Sequence, residues 1–491
     1  MIEFDPYEIL NLSPDVTPEE IKNAYRRVAR RLHPDTNHHA GAETQFQEIT
    51  QAYELLIDPD KRRSYDKLAT QESRQFKYRY EMRAIPSKRT IQVYPETQVL
   101  YILSEIMADP NADEQQQQSR LNLTLVLDKS KSMSGTRLER VKAAAHQIID
   151  KMKPEDILSV VSFNDYEEVV IEANTVQNKP SLKAKISMIS ASGGTEIFNG
   201  LQAGIQQNRK YLAPRLVNHV VLITDGNTYG DEKKCLSLAK DVTKQGIGIS
   251  ALGIGTEWND VFLDELVGIT GGTSSYIRSL DEVGRFMNNH VYGLADLFAE
   301  RVQISIAPDP DIRLENVFRL SPSLQPLAGD TRQLALGGLP KNRHISVMFQ
   351  LELPGNLALG QRSIARVATQ AEIFSSNLRR QYAYSDISIH VSENPTVEEP
   401  PQVIMDALGK LTLYRMQERA QEALENGDIE TATRTLANLS TRLLEIGEGD
   451  LANTAREELK KVVATSRLSI EGKKALKYQT RYLMNSETFE D

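Results

Sequence analysis

Between Leu121 and Gly255 one pattern repeats: a short, nearly unbroken apolar run, then a polar stretch with helical spacing. The runs are LNLTLVLD (Leu121–Asp128), DILSVVSF (Asp156–Phe163), NHVVLITDG (Asn218–Gly226) and GIGISALGIG (Gly246–Gly255). Short runs of this kind read as strands buried on both faces. After the first, Leu138, Val141, Ala145, Ile148 and Met152 form one helical stripe. Strands alternating with helices predict a doubly wound, mostly parallel α/β sheet. Such sheets bind ligands beyond the carboxyl ends of their strands.

Those ends carry an unusual set of oxygens. Asp128 closes the first run and opens an Asp-x-Ser-x-Ser sequence with Ser130 and Ser132. Asp225 closes the third run. Between them lies SGGTEI, with Thr195 after two glycines that let the backbone turn closely. All five residues are expected on one sheet edge. An all-oxygen set rich in hydroxyls suits a hard cation such as Mg²⁺, bound with some of its waters kept. Lys129 and Lys131 sit between the oxygens and would oppose a cation if they pointed inward. Residues between alternating ligands tend to face away, so a working site with outward lysines is expected. The other reading is a polar loop that only caps the next helix.

The stretch from about Leu121 to about Leu294 resembles a von Willebrand factor type A (vWA) domain with a metal-ion-dependent adhesion site. The resemblance implies Mg²⁺, Mn²⁺ or Ca²⁺ ligated by Ser130 and Ser132. Thr195 would join directly or through water, and Asp128 and Asp225 would act largely through waters. It also implies an open position that takes a carboxylate from a partner protein. The family usually has glycine where this chain has Lys131.

The first seventy residues read differently. In TPEEIKNAYRRVARRLHPD, Thr17 suits an N-cap, Pro18 the first helical position and Glu20 a capping box. Ile21, Ala24, Tyr25, Val28 and Leu32 form an apolar stripe, with Lys22, Arg26, Arg27, Arg30 and Arg31 on the remaining surface. Pro34 ends that helix. A second helix with Phe46, Ile49, Ala52, Tyr53 and Leu56 in register predicts an antiparallel hairpin with His33-Pro34-Asp35 at its exposed tip. The segments DPYEILNLSPDVTPEEIKNAYRRVARRLHPD and FQEITQAYELLIDPDKRRSYD resemble a J domain of the DnaJ family, matched from Asp5 to Asp66. The resemblance implies a co-chaperone that engages a DnaK-type (seventy-kilodalton heat-shock) ATPase and stimulates ATP hydrolysis. His33, Pro34 and Asp35 would be the signature contact, with Lys22, Arg26, Arg27 and Arg30 the electrostatic one. Clustered cations steer toward an acidic partner and raise the on-rate. No Gly/Phe-rich linker follows Leu68, and the lone Cys235 excludes a Cys-rich zinc module.

Composition bounds the rest. A chain of 491 residues predicts two to four domains. A net charge of −9 argues against a nucleic-acid binder. The start MIEFDPYEIL lacks a secretory signal, and no run of about 18 apolar residues predicts a membrane span, so a cytoplasmic protein is expected.

Residues 78–120 and 300–393 alternate or run apolar, with Pro and Gly breaks, and predict one antiparallel β-sandwich interrupted by the α/β domain at 121–294. The stretch Pro110–Arg120, with Gln115 to Gln118 in a row, reads as an exposed loop. Trp258 is expected either at the metal rim or as a packed loop aromatic. After Pro395, Pro400 and Pro401, Ala-rich stripes over 402–485 predict a helical bundle. There, ALENGDIETA resembles one turn of a tetratricopeptide unit without a 34-residue recurrence.

The expected architecture is therefore an all-α J domain at 1–70, a flanking β-sandwich, an α/β vWA domain and C-terminal helices. The expected function is a J-domain co-chaperone whose metal-site domain selects a client presenting an acidic side chain. The alternative is an adaptor in a multiprotein assembly around an AAA+ ATPase, with the J domain only a docking element. No nucleophile–base pair, phosphate loop or cofactor fingerprint is visible, so no enzyme activity is expected.

Overall fold

The computed structural model describes residues 4–73, 80–109, 119–213, 216–225, 228, 230–277, 282, 286, 297–373, 380–395 and 398–483. The Gln115–Gln118 run and the expected boundaries at residues 78, 294 and 485 lie outside them.

The N-terminal domain has four helices: α1 (Pro6–Leu10), α2 (Pro18–Leu32), α3 (Ala40–Ile57) and α4 (Pro59–Ser73). The capping box forms: Glu20 N–H donates to Thr17 Oγ1 at 3.3 Å, and Thr17 N–H to Glu20 Oε2 at 2.6 Å. Ile21, Val28 and Leu32 of α2 meet Ile49, Ala52 and Leu56 of α3 in one buried core.

The chain then enters a β-sandwich through β1 (Tyr80–Pro86), β2 (Thr90–Gln92) and β3 (Gln98–Ala108). It leaves to build the α/β domain. That domain contains β4 (Arg120–Asp128), α5 (Thr136–Lys151), β5 (Ile157–Phe163), β6 (Glu167–Thr175), α6 (Lys179–Ser187), α7 (Ile197–Arg209) and β7 (Leu216–Thr224). It continues through α8 (Glu232–Thr243), β8 (Ile247–Ile254), α9 (Asp260–Ile269) and β9 (Ser274–Ile277). The sheet order is β6-β5-β4-β7-β8-β9, and only β6 runs antiparallel. β5 and β7 are buried at every position, as strands covered on both faces must be. Helix α5 packs on one face of the sheet, and α7, α8 and α9 on the other.

The sandwich resumes with β10 (Leu297–Pro308), β11 (Arg313–Ser321), β12 (Gln325–Leu327), β13 (Leu334–Pro340), β14 (Ile345–Leu353), β15 (Gly360–Ile373) and β16 (Gln381–Ser392). Its two sheets, β1-β3-β14-β11-β12 and β13-β10-β15-β16-β2, enclose one core. β3 lies antiparallel to β14, so strands from before and after the α/β domain complete one sheet. Among the described residues the C-terminal region holds the helices α10 (Gln402–Glu425), α11 (Ile429–Glu445), α12 (Gly449–Thr465) and α13 (Ile470–Tyr482). α10 packs Ile404, Leu411 and Tyr414 on the sandwich, while Tyr478 of α13 joins the core of the α/β domain.

The J-like domain is not a free appendage. Arg31 Nε pairs with Asp309 at 3.0 Å and Arg31 Nη1 with Asp386 at 3.1 Å. Buried Arg366 donates to the Ile9 carbonyl at 2.7 Å and lies over the Tyr384 ring. Asn37 donates to the Pro308 carbonyl at 2.8 Å, and Gln45 to Ser305 Oγ at 3.0 Å. Gly41 permits this approach, since a β-carbon there would lie 2.1 Å from the Ile306 carbonyl oxygen. Gly41→Ala is therefore expected to loosen the docking through overpacking. Amide exchange over the first half of α3 should speed up by about tenfold. Unchanged exchange would show that the close contact at Gly41 does not hold the two domains together.

Candidate functional site: a metal edge and a basic helix face

Asp128 is the last residue of β4, and Asp225 follows Thr224 at the end of β7. The two strands are parallel neighbours, paired Leu127 to Ile223, so both carboxylates emerge side by side. Asp128 is fully buried; it accepts from Thr224 Oγ1 at 2.6 Å and from Ser130 N–H at 2.8 Å. Burial pushes its carboxyl up to about 6, against the pull of the Thr224 and Ser130 hydrogen bonds.

A single 3₁₀ turn, Lys131–Met133, carries the serines. Ser130 Oγ and Ser132 Oγ are 3.0 Å apart, and Ser132 Oγ donates to Asp225 Oδ1 at 2.9 Å. The threonine loop is laced to this turn: Ser192 N–H donates to the Lys129 carbonyl at 2.8 Å, and Lys131 N–H to the Gly193 carbonyl at 3.0 Å. Thr195 is buried on that loop. Asp128, Ser130, Ser132 and Asp225 thus form a connected set of side chains, and Thr195 enters through the backbone of its loop.

Lys129 turns aside to pair with Glu168, and Lys131 is exposed. The site's own cation is one that sequence reasoning passed over. Arg137, on the first turn of α5, donates from Nη1 to Asp225 Oδ2 at 2.6 Å. On a helix surface it reads as one more solvated charge, and only the fold places it here. Trp258 is 2% exposed and packs against Tyr276 and Tyr478, as a loop aromatic under α13 rather than a rim residue.

Among the described residues no group of three or more His, Cys, Asp or Glu side chains could hold a metal. The edge offers another kind of set: two carboxylates and hydroxyls, all hard oxygen donors. That chemistry fits Mg²⁺ or Mn²⁺ and not a soft metal.

At the other end of the molecule, Pro34 and Asp35 are exposed at the tip between α2 and α3. His33 is half-buried, with its ring 5.2 Å from that of Phe46 in a T-shaped contact. Arg26, Arg27 and Arg30 are exposed, Lys22 is partly so, and Arg31 alone turns to the sandwich. Docking therefore uses α1, α3 and the end of α2 and leaves the basic face of α2 to solvent.

Comparison with known proteins agrees with this partition. Family models match a DnaJ domain at residues 5–66, a von Willebrand factor type A domain at 122–289 and the Sll0103-like C-terminal alpha-helical domain at 402–486. The DnaJ chaperone of Methanosarcina thermophila is 56% identical over 63 residues, which cover 13% of this chain and 16% of that one. A von Willebrand factor type A protein from Catenulispora acidiphila shares the fold, with a TM-score of 0.65 at 16% identity over 82% of this chain and 96% of that one. Protein sll0103 of Synechocystis sp. is 30% identical over 336 residues, covering 66% of this chain and 79% of its own. This chain belongs to the family of sll0103, as a member in which a DnaJ domain precedes the von Willebrand factor type A domain and the C-terminal helices.

Proposed function

We propose that the chain is a co-chaperone that recruits a DnaK-type ATPase and stimulates it, and that its vWA domain selects the protein to be remodelled. The observation that carries the reading is the presentation of the J domain. It is held by the sandwich through Arg31, Asn37, Gln45 and Arg366, while Pro34, Asp35, Arg26, Arg27 and Arg30 face solvent. A fixed mount with an open basic face suits delivery of a bound client to an ATPase. ATP hydrolysis by a cognate DnaK-type chaperone, with and without this chain, tests the proposal. No stimulation would leave the adaptor reading.

At the metal edge we propose a divalent cation, Mg²⁺ or Mn²⁺, held by Ser130 and Ser132 with Asp128, Thr195 and Asp225 around it. When bound, the ion would supply an electrophilic position for an Asp or Glu of the client. The chain itself would orient the serines and neutralise the ion with two carboxylates. In this reading the protein works in the cytoplasm and catalyses no reaction of its own. No helix among the described residues is long and apolar enough to cross a membrane.

A ligand that binds only the folded state stabilises it by mass action. Millimolar Mg²⁺ or Mn²⁺ is expected to raise the vWA melting temperature by about 2–4 °C. Ser130→Ala combined with Asp225→Ala should remove the shift, with Ser130→Ala alone as the milder control. The same shift in the double variant would place the ion elsewhere.

A further inference from the structure

Among the described residues the Asp225 carboxylate is held by two side chains. Ser132 Oγ occupies Oδ1 at 2.9 Å, and Arg137 Nη1 occupies Oδ2 at 2.6 Å. The carboxylate side chain is fully buried, whereas the Arg137 side chain is one-third exposed. A buried anion needs a compensating cation, and Arg137 supplies it from the solvent side. Nη1 also reaches the Ser132 carbonyl at 3.4 Å, so the guanidinium spans the same turn that carries the serine ligands. Room for it comes from Gly255 just beyond β8: a β-carbon there would lie 3.3 Å from the guanidinium carbon, and its φ of +76° favours glycine. The lysines flanking the serines are otherwise engaged or exposed, as described above. Arg137 is thus a cation on a long, flexible stem at the carboxylate a metal would need.

We propose that Arg137 is the resident cation of this edge, and that a divalent metal binds by displacing its guanidinium from Asp225. The inference rests on the metal-site reading above and adds regulation to it. Two cations exchange at one carboxylate, so the affinity for metal is lower than the oxygen set alone would give. The displaced guanidinium remains at the rim, where its planar fork can receive a carboxylate.

The test titrates full-length wild type and Arg137→Met with Mn²⁺, with bound metal read by electron paramagnetic resonance. Met keeps the length of the stem without the charge. Binding is expected to tighten by about tenfold or more, because a unit positive charge near a divalent ion is removed. Arg137→Lys keeps the charge and should stay close to wild type. An arginine with only a structural role would lower the melting temperature of Arg137→Met without tightening Mn²⁺, so unchanged or weaker binding overturns the proposal. Arg137→Gln carries the same expectation as Arg137→Met and covers a folding failure of the latter. Mn²⁺ binding to Arg137→Met but not to wild type supports exchange. Mn²⁺ binding to neither defeats the metal-site reading itself, and the inference with it.

Discussion

His33→Gln is expected to bring stimulation of a cognate DnaK-type ATPase down to its basal rate while the protein stays folded. The turn at this position does not depend on the imidazole. Pro34 ends α2, and the His33 carbonyl accepts from the backbone N–H groups of Thr36 at 2.9 Å and Asn37 at 2.8 Å. The side chain contributes a contact with the Phe46 ring and a bond from Asp35 N–H to Nδ1 at 3.2 Å. Losing these should cost about 1 kcal/mol, an amount the folded domain can bear. The recognition surface, in contrast, loses the side chain that the J-domain resemblance assigns to it. Arg26→Ala with Arg27→Ala should weaken stimulation in a salt-dependent way, since exposed charges are screened within about 10 Å at 0.1 M salt. Both arginines lie away from the Arg31 and Asn37 docking contacts, so amide exchange across the sandwich interface should not change. If His33→Gln stimulates as well as wild type, the co-chaperone reading is wrong. If it also releases the J domain from the sandwich, the loss of stimulation has a structural cause instead.

Elements were legible in the sequence wherever their signal is local. The four apolar runs are β4, β5, β7 and β8, because a strand covered on both faces must be apolar on both. Asp128 and Asp225 were readable as sharing one edge because the parallel strands of a doubly wound sheet end on the same side; that β4 and β7 are direct neighbours, with β5 and β6 between them in sequence, was not. Alternation also revealed a sandwich on either side of the α/β domain. It could not give the pairing of β3 with β14, whose partners such as Leu103 and Met348 lie far apart in sequence. The docked J domain was invisible for the same reason. Arg366 meets Ile9 across a separation of 357 residues, and nothing near either residue announces the other. Nothing in the sequence singled out Arg137 or Arg481, and each pairs with an aspartate: the fully buried Asp225 and the largely covered Asp264.

The second of those aspartates carries the largest stability prediction. Asp264 of α9 receives Arg481 Nη1 at 2.9 Å and Nη2 at 2.8 Å, with Lys477 at 2.8 Å and the Tyr478 hydroxyl at 2.9 Å. Lys477 also pairs with Asp260. Side chains in this cluster are 5–16% exposed, so solvent screens them little. Burial alone would raise the Asp264 pKa, but Arg481 and Lys477 outweigh it and hold the carboxyl well below its usual range. A folded pKa below the unfolded one means that the stabilisation is fully present above about pH 4. It is lost only as pH falls through the depressed value, so mild acid should not release α13. Asp264→Asn should release it at neutral pH, because the amide keeps the shape while the buried Arg481 and the largely covered Lys477 lose an anionic partner. The expected cost is about 3–5 kcal/mol, read from denaturant unfolding of the full chain and from faster amide exchange in α13. Arg481→Met in the Asp264→Asn background should recover part of that loss, since it removes an uncompensated charge and keeps apolar contact with Tyr414 and Tyr478. A cost below about 1 kcal/mol for Asp264→Asn would show that the cluster behaves as a solvated surface pair. A further loss in the double variant, in place of recovery, would show that the Arg481 guanidinium holds α13 chiefly by its other side-chain contacts, over the Tyr414 and Tyr478 rings.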